Sequence, residues 1–224
     1  MFKPNPVCVI FDATFFGRSY GILIARAEGK NLLWKEIDGE KIRYYEEILH
    51  ELVSAEFTFS GFVIDGRRGV RNLLEHKFPD TPIQLCQFHQ IQSITRYLSR
   101  KPKLEAGKEL RTLALSLAKT KKKTFSKDLN QWYERWKDFL KEKTGNPDTK
   151  KWHYTHKRLR SAYSSLKNNL PWLFTFQDFP ELHIPNTTNS CDGSFAHWKS
   201  KVKLHRGLSK KRRKKMIDYL LEIS

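Results

Sequence analysis

Asp12 is the first residue whose chemistry needs a reason. It stands inside residues 7–16, otherwise a run of apolar, β-branched and aromatic side chains, where burying an unpaired carboxylate is costly. Either a strand-edge carboxylate bonds to Thr14 or to a nearby backbone amide, or the group ligates a metal ion. Asp65 poses a similar choice. It closes the apolar run Phe62-Val63-Ile64, sits beside Gly66 and precedes a helical pattern. Asp-Gly is a turn signal and Asp caps helices well, yet ligands in mixed α/β sheets bind beyond the carboxyl ends of strands. Cys86 and His89 form a Cys-x-x-His element that invites a zinc reading. A structural zinc site needs four ligands, however, and Cys8 and Cys191 lie far away without paired spacing; His153 and His156 are the next source of ligands.

The elements that must hold these residues follow from periodicity. Residues 7–16 and 20–27 read as antiparallel strands around Gly17-Arg18-Ser19, residues 31–37 as a third strand, and residues 41–55 as a helix through Ile42, Tyr45, Ile48, Leu49 and Leu52. Two strand-to-helix units succeed this meander: residues 62–64 with a helix over 69–76, and 82–85 with a helix through Ile91, Ile94 and Leu98. The fold class is therefore α/β, a mixed sheet flanked by helices. From 102 to about 180 the composition turns to Lys, Leu, Trp and Glu, with helical spacing over 110–117 and 129–140. This predicts an all-helical insertion, punctuated by Pro147, Pro171 and Pro180. Residues 185–190 form a polar loop before the last helices. The resulting division is 1–101 for the first part of the core, 102–180 for the insertion and 181–224 for the last part.

Charge narrows the partner. The 224 residues carry 42 Lys and Arg against 24 Asp and Glu, a formal net charge of +18, so the surface attracts polyanions, nucleic acid first. Three scattered cysteines describe no disulfide framework and predict a reducing, cytoplasmic setting. No run is long enough to span a bilayer and no signal-peptide pattern is present; no membrane partner is expected. Residues 199–215 contain ten Lys or Arg, including Lys210-Lys211-Arg212-Arg213-Lys214-Lys215. Such a run binds phosphates with strong salt dependence; Met216, Ile217, Leu220 and Leu221 show that a packed helix follows, which leaves a solvated helix face as the alternative, and non-specific DNA contact is the better reading.

Several segments together carry a resemblance. Asp12-Ala13-Thr14-Phe15, Val63-Ile64-Asp65-Gly66, Phe78-Pro79 and Cys86-Gln87-Phe88-His89, in this order and spacing, resemble the Mutator-type transposases. Thr187-Thr188-Asn189-Ser190-Cys191-Asp192 resembles the segment where that family places its third acid, and Lys203-Leu204-His205-Arg206-Gly207-Leu208 the basic stretch after it. The resemblance covers essentially the whole chain. It implies a ribonuclease H-like fold with a helical insertion before the helix of the third acid, and a catalytic, metal-binding triad of Asp12, Asp65 and Asp192. It also implies two Mg²⁺ or Mn²⁺ ions flanking a scissile phosphate, double-stranded DNA (transposon ends and target) as substrate, a homo-oligomer when active and a bacterial, nucleoid-associated location. In the family Cys86 and His89 are a signature near the catalytic sheet, which implies a structural or substrate-positioning role.

One position departs from the pattern. The family usually has glutamate where this chain has Asp192, and aspartate is shorter by roughly 1.5 Å, while Mg²⁺ demands near-ideal octahedral geometry. Three-aspartate triads serve in related transposase groups. DNA contacts are expected from Lys201, Lys203, His205, Arg206, Lys210, Lys211, Arg212 and Arg213. Trp132 and Trp136, four apart, read as a core stripe, whereas Trp152, flanked by Lys150, Lys151 and His153, is the candidate for stacking on an unpaired base. Two other readings stand beside the enzyme. The chain opens almost on its first acid-bearing strand, where the family carries an N-terminal DNA-binding module, so a non-catalytic DNA-binding remnant is one; a ribonuclease H-like nuclease is the other.

Overall fold

The computed structural model describes residues 5–17, 20–145, 151–205 and 207–223, the Lys210 side chain excepted. Three strands open the chain: β1 (Val7–Phe15), β2 (Gly21–Ala27) and β3 (Lys30–Ile37). They pair antiparallel as a meander. Of the expected turn between the first two, Arg18 and Ser19 lie outside the described residues. Glu28 and Gly29 turn the chain into β3 with positive φ, a conformation glycine adopts without steric cost. Helix α1 (Ile42–Ser54) buries Tyr45, Ile48, Leu49 and Leu52, the stripe set by their spacing.

Two strand-to-helix units follow, β4 (Phe59–Ile64) with α2 (Arg68–Lys77) and β5 (Ile83–Leu85) with α3 (Gln87–Leu98). The sheet order is β3-β2-β1-β4-β5, with β4 parallel to β1 and β5 parallel to β4. The protein is thus mixed α/β around a five-stranded mixed sheet. Alternation along β1 divides its side chains between two layers. Val9 and Phe11 join the core formed with α1, α2 and α3; Ile10, with Ile22, Ile24 and Val63, joins a second core on the other face. The second layer is built by α8 (Asn189–Leu204) and α9 (Lys210–Glu222), through Cys191, Phe195, Trp198, Ile217 and Leu221.

Between these parts lie α4 (Glu105–Leu115), α5 (Lys122–Lys141), α6 (Lys157–Leu173) and α7 (Thr175–Asp178). The insertion is not purely helical. Strands β6 (Lys143–Gly145) and β7 (Trp152–Tyr154) form a small antiparallel pair, for which the aromatic run Trp152-His153-Tyr154 supplies the β-preference. Pro171 does not end the preceding helix but sits in the last turn of α6, held there by burial of Leu173 and Phe174. Trp132 is buried and donates to the Ala106 carbonyl (3.0 Å), and Trp136, half-buried, donates to Glu109 (2.9 Å), as a core stripe should.

The insertion has no separate core. Trp132, Leu166 and Phe174 belong to the same cluster as Val9 and Phe62. Buried amides stitch it to the sheet: Gln84 and Gln87 each donate to the Leu173 carbonyl (3.0 and 2.8 Å), Phe176 N–H donates to Gln84 (3.0 Å), and Thr175 donates to the Ile83 carbonyl (2.7 Å). The edge of short strand β5 is thereby covered rather than left to pair with another chain. Cys8, Cys86 and Cys191 are free thiols, and among the described residues no helix is long and apolar enough to cross a membrane.

Trp198 is fully buried between α8 and the sheet. Trp198→Ala is expected to lower unfolding stability by about 3–5 kcal/mol, read from the urea midpoint at an unchanged slope. A loss under about 1 kcal/mol would show that α8 is not packed on the sheet as described.

Candidate functional site

The register of β1 against β4 brings the first two acids together. Ile10 pairs with Val63; two residues further along stand Asp12, still within β1, and Asp65, just beyond the carboxyl end of β4. Neighbouring strands lie about 4.8 Å apart, so both carboxylates reach one space. They line a cavity of about 530 Å³ with Glu40, Arg67, His89 and Asn169. Glu40 was not singled out from the sequence. It lies in the β3–α1 connection and pairs with Arg67, and its only sequence signal is an acid in a turn after Gly39.

Asp12 occupies a central strand, not an edge. It is 8% exposed; its Oδ1 accepts from Ala13 N–H (2.9 Å), the Thr188 hydroxyl is close enough to the carboxylate to lower its pKa, and Oδ2 has no partner within strict hydrogen-bond geometry. Thr14 does not supply one, since its own Oγ1 is equally unpartnered. Burial pushes the Asp12 carboxyl up to about 6, against the positive pull of His89 and the Ala13 amide, with Asp192 adding repulsion. Asp65 behaves partly as the turn residue its sequence allowed: Arg67 N–H donates to its Oδ1 (3.1 Å). It does not cap α2, whose N-cap position is Arg67.

Cys86 and His89 straddle the start of α3. The hydrogen bond to Cys86 raises His89 to about 9, and the negative charges of Asp12 and Asp65 add to the rise. Burial pushes the Cys86 thiol up, but His89 and the Thr188 hydroxyl outweigh it and bring it below its ordinary value. Thr188 is the link to the third acid. It holds the N-cap position of α8 yet makes no capping bond. Instead its N–H donates to Cys86 Sγ (3.3 Å), and its hydroxyl lies 3.6 Å from that sulfur and 3.5 Å from His89 Nδ1.

Asp192 follows one turn later on α8, its N–H bonded to the Thr188 carbonyl (3.3 Å). It is close enough to Asp12 to raise that carboxyl, but it does not line the cavity that Asp12 and Asp65 share. Its Oδ2 is also buried without a partner. From the opposite side Arg26, on β2, donates to Ser194 (2.9 Å), fixing the turn that contains Asp192 to the sheet. Among the described residues no group of three or more His, Cys, Asp or Glu is gathered tightly enough to hold a metal ion as it stands. The unpartnered oxygens of Asp12 and Asp192 are nevertheless hard, anionic donors of the kind divalent cations take.

The basic segment lies beside this site in the chain. Lys201 and Lys203 are exposed on the second half of α8, His205 is exposed at its C-cap, and Lys211 and Arg212 are exposed on α9. Arg213 is half-buried beside Lys199 and Phe15. Arg206 and the Lys210 side chain lie outside the described residues, as does Lys150. Trp152 is 58% exposed on β7, with the Lys143 ammonium 3.9 Å from its ring centroid. His156, far from Cys86 in the fold's insertion, stacks on Phe139 and pairs with Glu142.

No protein-family model matches this chain, and no curated protein matches it in sequence. The site therefore stands on its geometry: one acid on β1, a second at the carboxyl end of the parallel strand β4, a third on a helix pinned to the sheet, and a histidine whose pKa the first two acids help to raise.

With Asp12 raised from 3.8 to about 6, the folded chain keeps a proton that the unfolded chain has released. This group favours folding fully below about pH 4, and the favour is lost as pH rises through about 6. Asp12→Asn stays neutral throughout. In EDTA it is expected to exceed the wild type in stability above pH 6 by on the order of 2–3 kcal/mol, with no such gain at about pH 4. Equal urea stability of the two at neutral pH would show that the folded site compensates the charge.

Proposed function

We propose that this chain is the ribonuclease H-like catalytic domain of a Mutator-type DNA transposase, cleaving and joining DNA strands with divalent metal. The observation that carries the proposal is that Asp12 on β1 and Asp65 at the carboxyl end of the parallel strand β4 open into one cavity. Around it, the element order supports the reading: a three-stranded meander, two strand-to-helix units, a largely helical insertion and a helix bearing the third acid, which is what the resemblance implies.

In this reading Asp12, Asp65 and Asp192 would hold two Mg²⁺ or Mn²⁺ ions, which would supply activation of an attacking water or 3′-hydroxyl and charge neutralisation at the scissile phosphate. The chain's own groups do the rest. Ala13 N–H and Arg67 N–H fix one oxygen of Asp12 and of Asp65, leaving the other of each for a ligand. His89, held by Cys86 and Thr188, carries positive charge beside the acids and stabilises the metal-free site. The exposed Lys201, Lys203, Lys211 and Arg212 supply phosphate contacts along duplex DNA. Homo-oligomerisation and a cytoplasmic, nucleoid-associated setting belong to the same proposal.

A second reading, a DNA-binding remnant without chemistry, is favoured by one observation: Asp192 stands outside the cavity that holds the other acids. Substitution separates the two. Asp12→Asn and Asp65→Asn are expected to lower Mg²⁺- or Mn²⁺-dependent cleavage of transposon-end DNA on the order of 10³-fold while duplex binding holds or strengthens. Wild-type rates in both variants would dismiss the triad. Asp192→Glu adds about 1.5 Å of reach and is expected to raise cleavage if α8 keeps the family's position. A folded, DNA-binding wild type that is inactive and stays inactive as Asp192→Glu would establish the remnant.

A further inference from the structure

The cavity that holds Asp12 and Asp65 does not end at the acids. It continues between α3 and α6 into a second cavity of about 530 Å³, the two sharing Ser93, Arg96 and Tyr97. Both walls are helical stripes. On α3 they run from His89 through Ser93 to Arg96 and Tyr97; on α6, Asn169, Ser165, Ser161 and Lys157 follow one another at four-residue spacing, one helix face. Packed helices normally meet through apolar ridges, yet this seam is small and polar, and it becomes basic away from the acids, at Arg96, Lys157 and Arg158.

The floor is tied shut. Gln90 donates to Ser165 (3.1 Å) and accepts from Asn169 (2.8 Å), and Arg158 donates to the Arg96 carbonyl. Because these amides satisfy one another across the seam, the groove is a built feature and not a packing fault. Tyr97 is 39% exposed at its rim.

From this placement we infer that the α3–α6 groove is the path of a single unpaired DNA strand leaving the acids, its phosphates met by Arg96, Lys157 and Arg158 and a base stacked on Tyr97. The inference rests on the nucleic-acid reading of the acid site but not on its chemistry. α3 and α6 touch through Gln90, Ser165 and Asn169, so the strand lies along the trough above that contact and does not pass between the helices. Serine and asparagine walls match the sequence-tolerant contacts that unpaired strands receive, with an aromatic platform and cations tracking the backbone. The groove ends at the first turn of α6, next to the β6–β7 pair, where Arg160 covers Tyr154 (3.6 Å) and Trp152 offers a second exposed ring.

The test is binding in EDTA, where no cleavage occurs. Fluorescence anisotropy would compare a blunt duplex with the same duplex bearing a single-stranded extension of about ten nucleotides, within the span one strand-binding groove covers. The extended duplex is expected to bind at least about fivefold tighter, as one stacked base provides. Tyr97→Ala and the groove-filling Ser161→Trp should each remove that preference and leave blunt-duplex affinity unchanged. Tyr219→Ala, an exposed aromatic on α9, should not affect it. Circular dichroism of each variant establishes that it is folded. Equal affinity for the two DNAs, or a preference that survives in folded Tyr97→Ala and Ser161→Trp, overturns the groove and leaves the acid chemistry standing. A preference abolished by both, in a protein that never cleaves, supports the groove and sinks the transposase reaction instead.

Discussion

The parallel pairing of β1 with β4 is the constraint on which the rest of the molecule depends. A strand alternates its side chains, so a slip of one residue between these two would send Asp12 or Asp65 to the opposite layer. The register is held because the residues that precede the acids are themselves committed. Ile10 and Val63 face the layer built by α8 and α9, while Val9 and Phe62 face the layer of α1 and the insertion. Parallel strands buried on both faces tolerate no alternative. Gly61 adds to the fit: a Cβ there would meet the tip of the Ile184 side chain at 2.9 Å, so a larger residue would require Ile184 to shift where β4 closes under the segment leading into α8.

Once the register is set, the third acid becomes a matter of attaching one helix. The attachment runs through groups that could have served α8 locally and do not. Thr188 leaves the N-cap role, worth about 1 kcal/mol, to join Cys86 and His89. Arg26 reaches from β2 to Ser194, within α8, and to the Gly29 carbonyl. These choices give up local helix stability for the position of Asp192 relative to the sheet. The same economy explains the Cys-x-x-His spacing: across the strand-to-helix corner, the cysteine meets Thr188 while the histidine, three residues on, couples to the acids.

What the sequence made legible was what its periodicity and its misfits encode. The meander, both strand-to-helix units and the α1 stripe follow from spacing, and Asp12 announced itself as a charge inside an apolar run. Features that depend on residues distant in the chain did not show. Pro171 read as a stop because its cost to a helix is local, whereas the burial that keeps it inside α6 comes from β5 and α5. The β6–β7 pair is too short to carry a period. Glu40 looked like any turn acid, since only the fold brings it to Arg67 and Asp65. The α3–α6 groove was hidden for a related reason: serines and asparagines four apart carry no hydrophobic signal, and their shared face acquires meaning only when the opposing helix is known.

Buried charge, more than buried polarity, distinguishes the acids from the rest of the fold. Buried polar groups in the stitching between β5 and the insertion are paired: Gln84, Gln87 and Thr175 all find partners. Elsewhere hydrogen-bond partners are missing, at Tyr20 Oη and the Nε of Arg71 and Arg111 as well as at the outer oxygens of Asp12 and Asp192 and the hydroxyl of Thr14, and of these only the carboxylates can bring negative charge. A chain that needed this sheet only as a scaffold would gain by replacing Asp12 with asparagine or an apolar residue, because a carboxyl that burial lifts to about 6 opposes folding near neutral pH. Such local inconsistency amid a consistent core is where function is carried. The nearby cations Arg67 and His89 are engaged with Glu40 and with Cys86 and Thr188, so the function proposed above assigns the charge of these acids to a partner outside the polypeptide. Divalent metal ions, with the phosphates they bring, meet that description, and a polar, basic-ended groove that opens from the same cavity gives those phosphates somewhere to go.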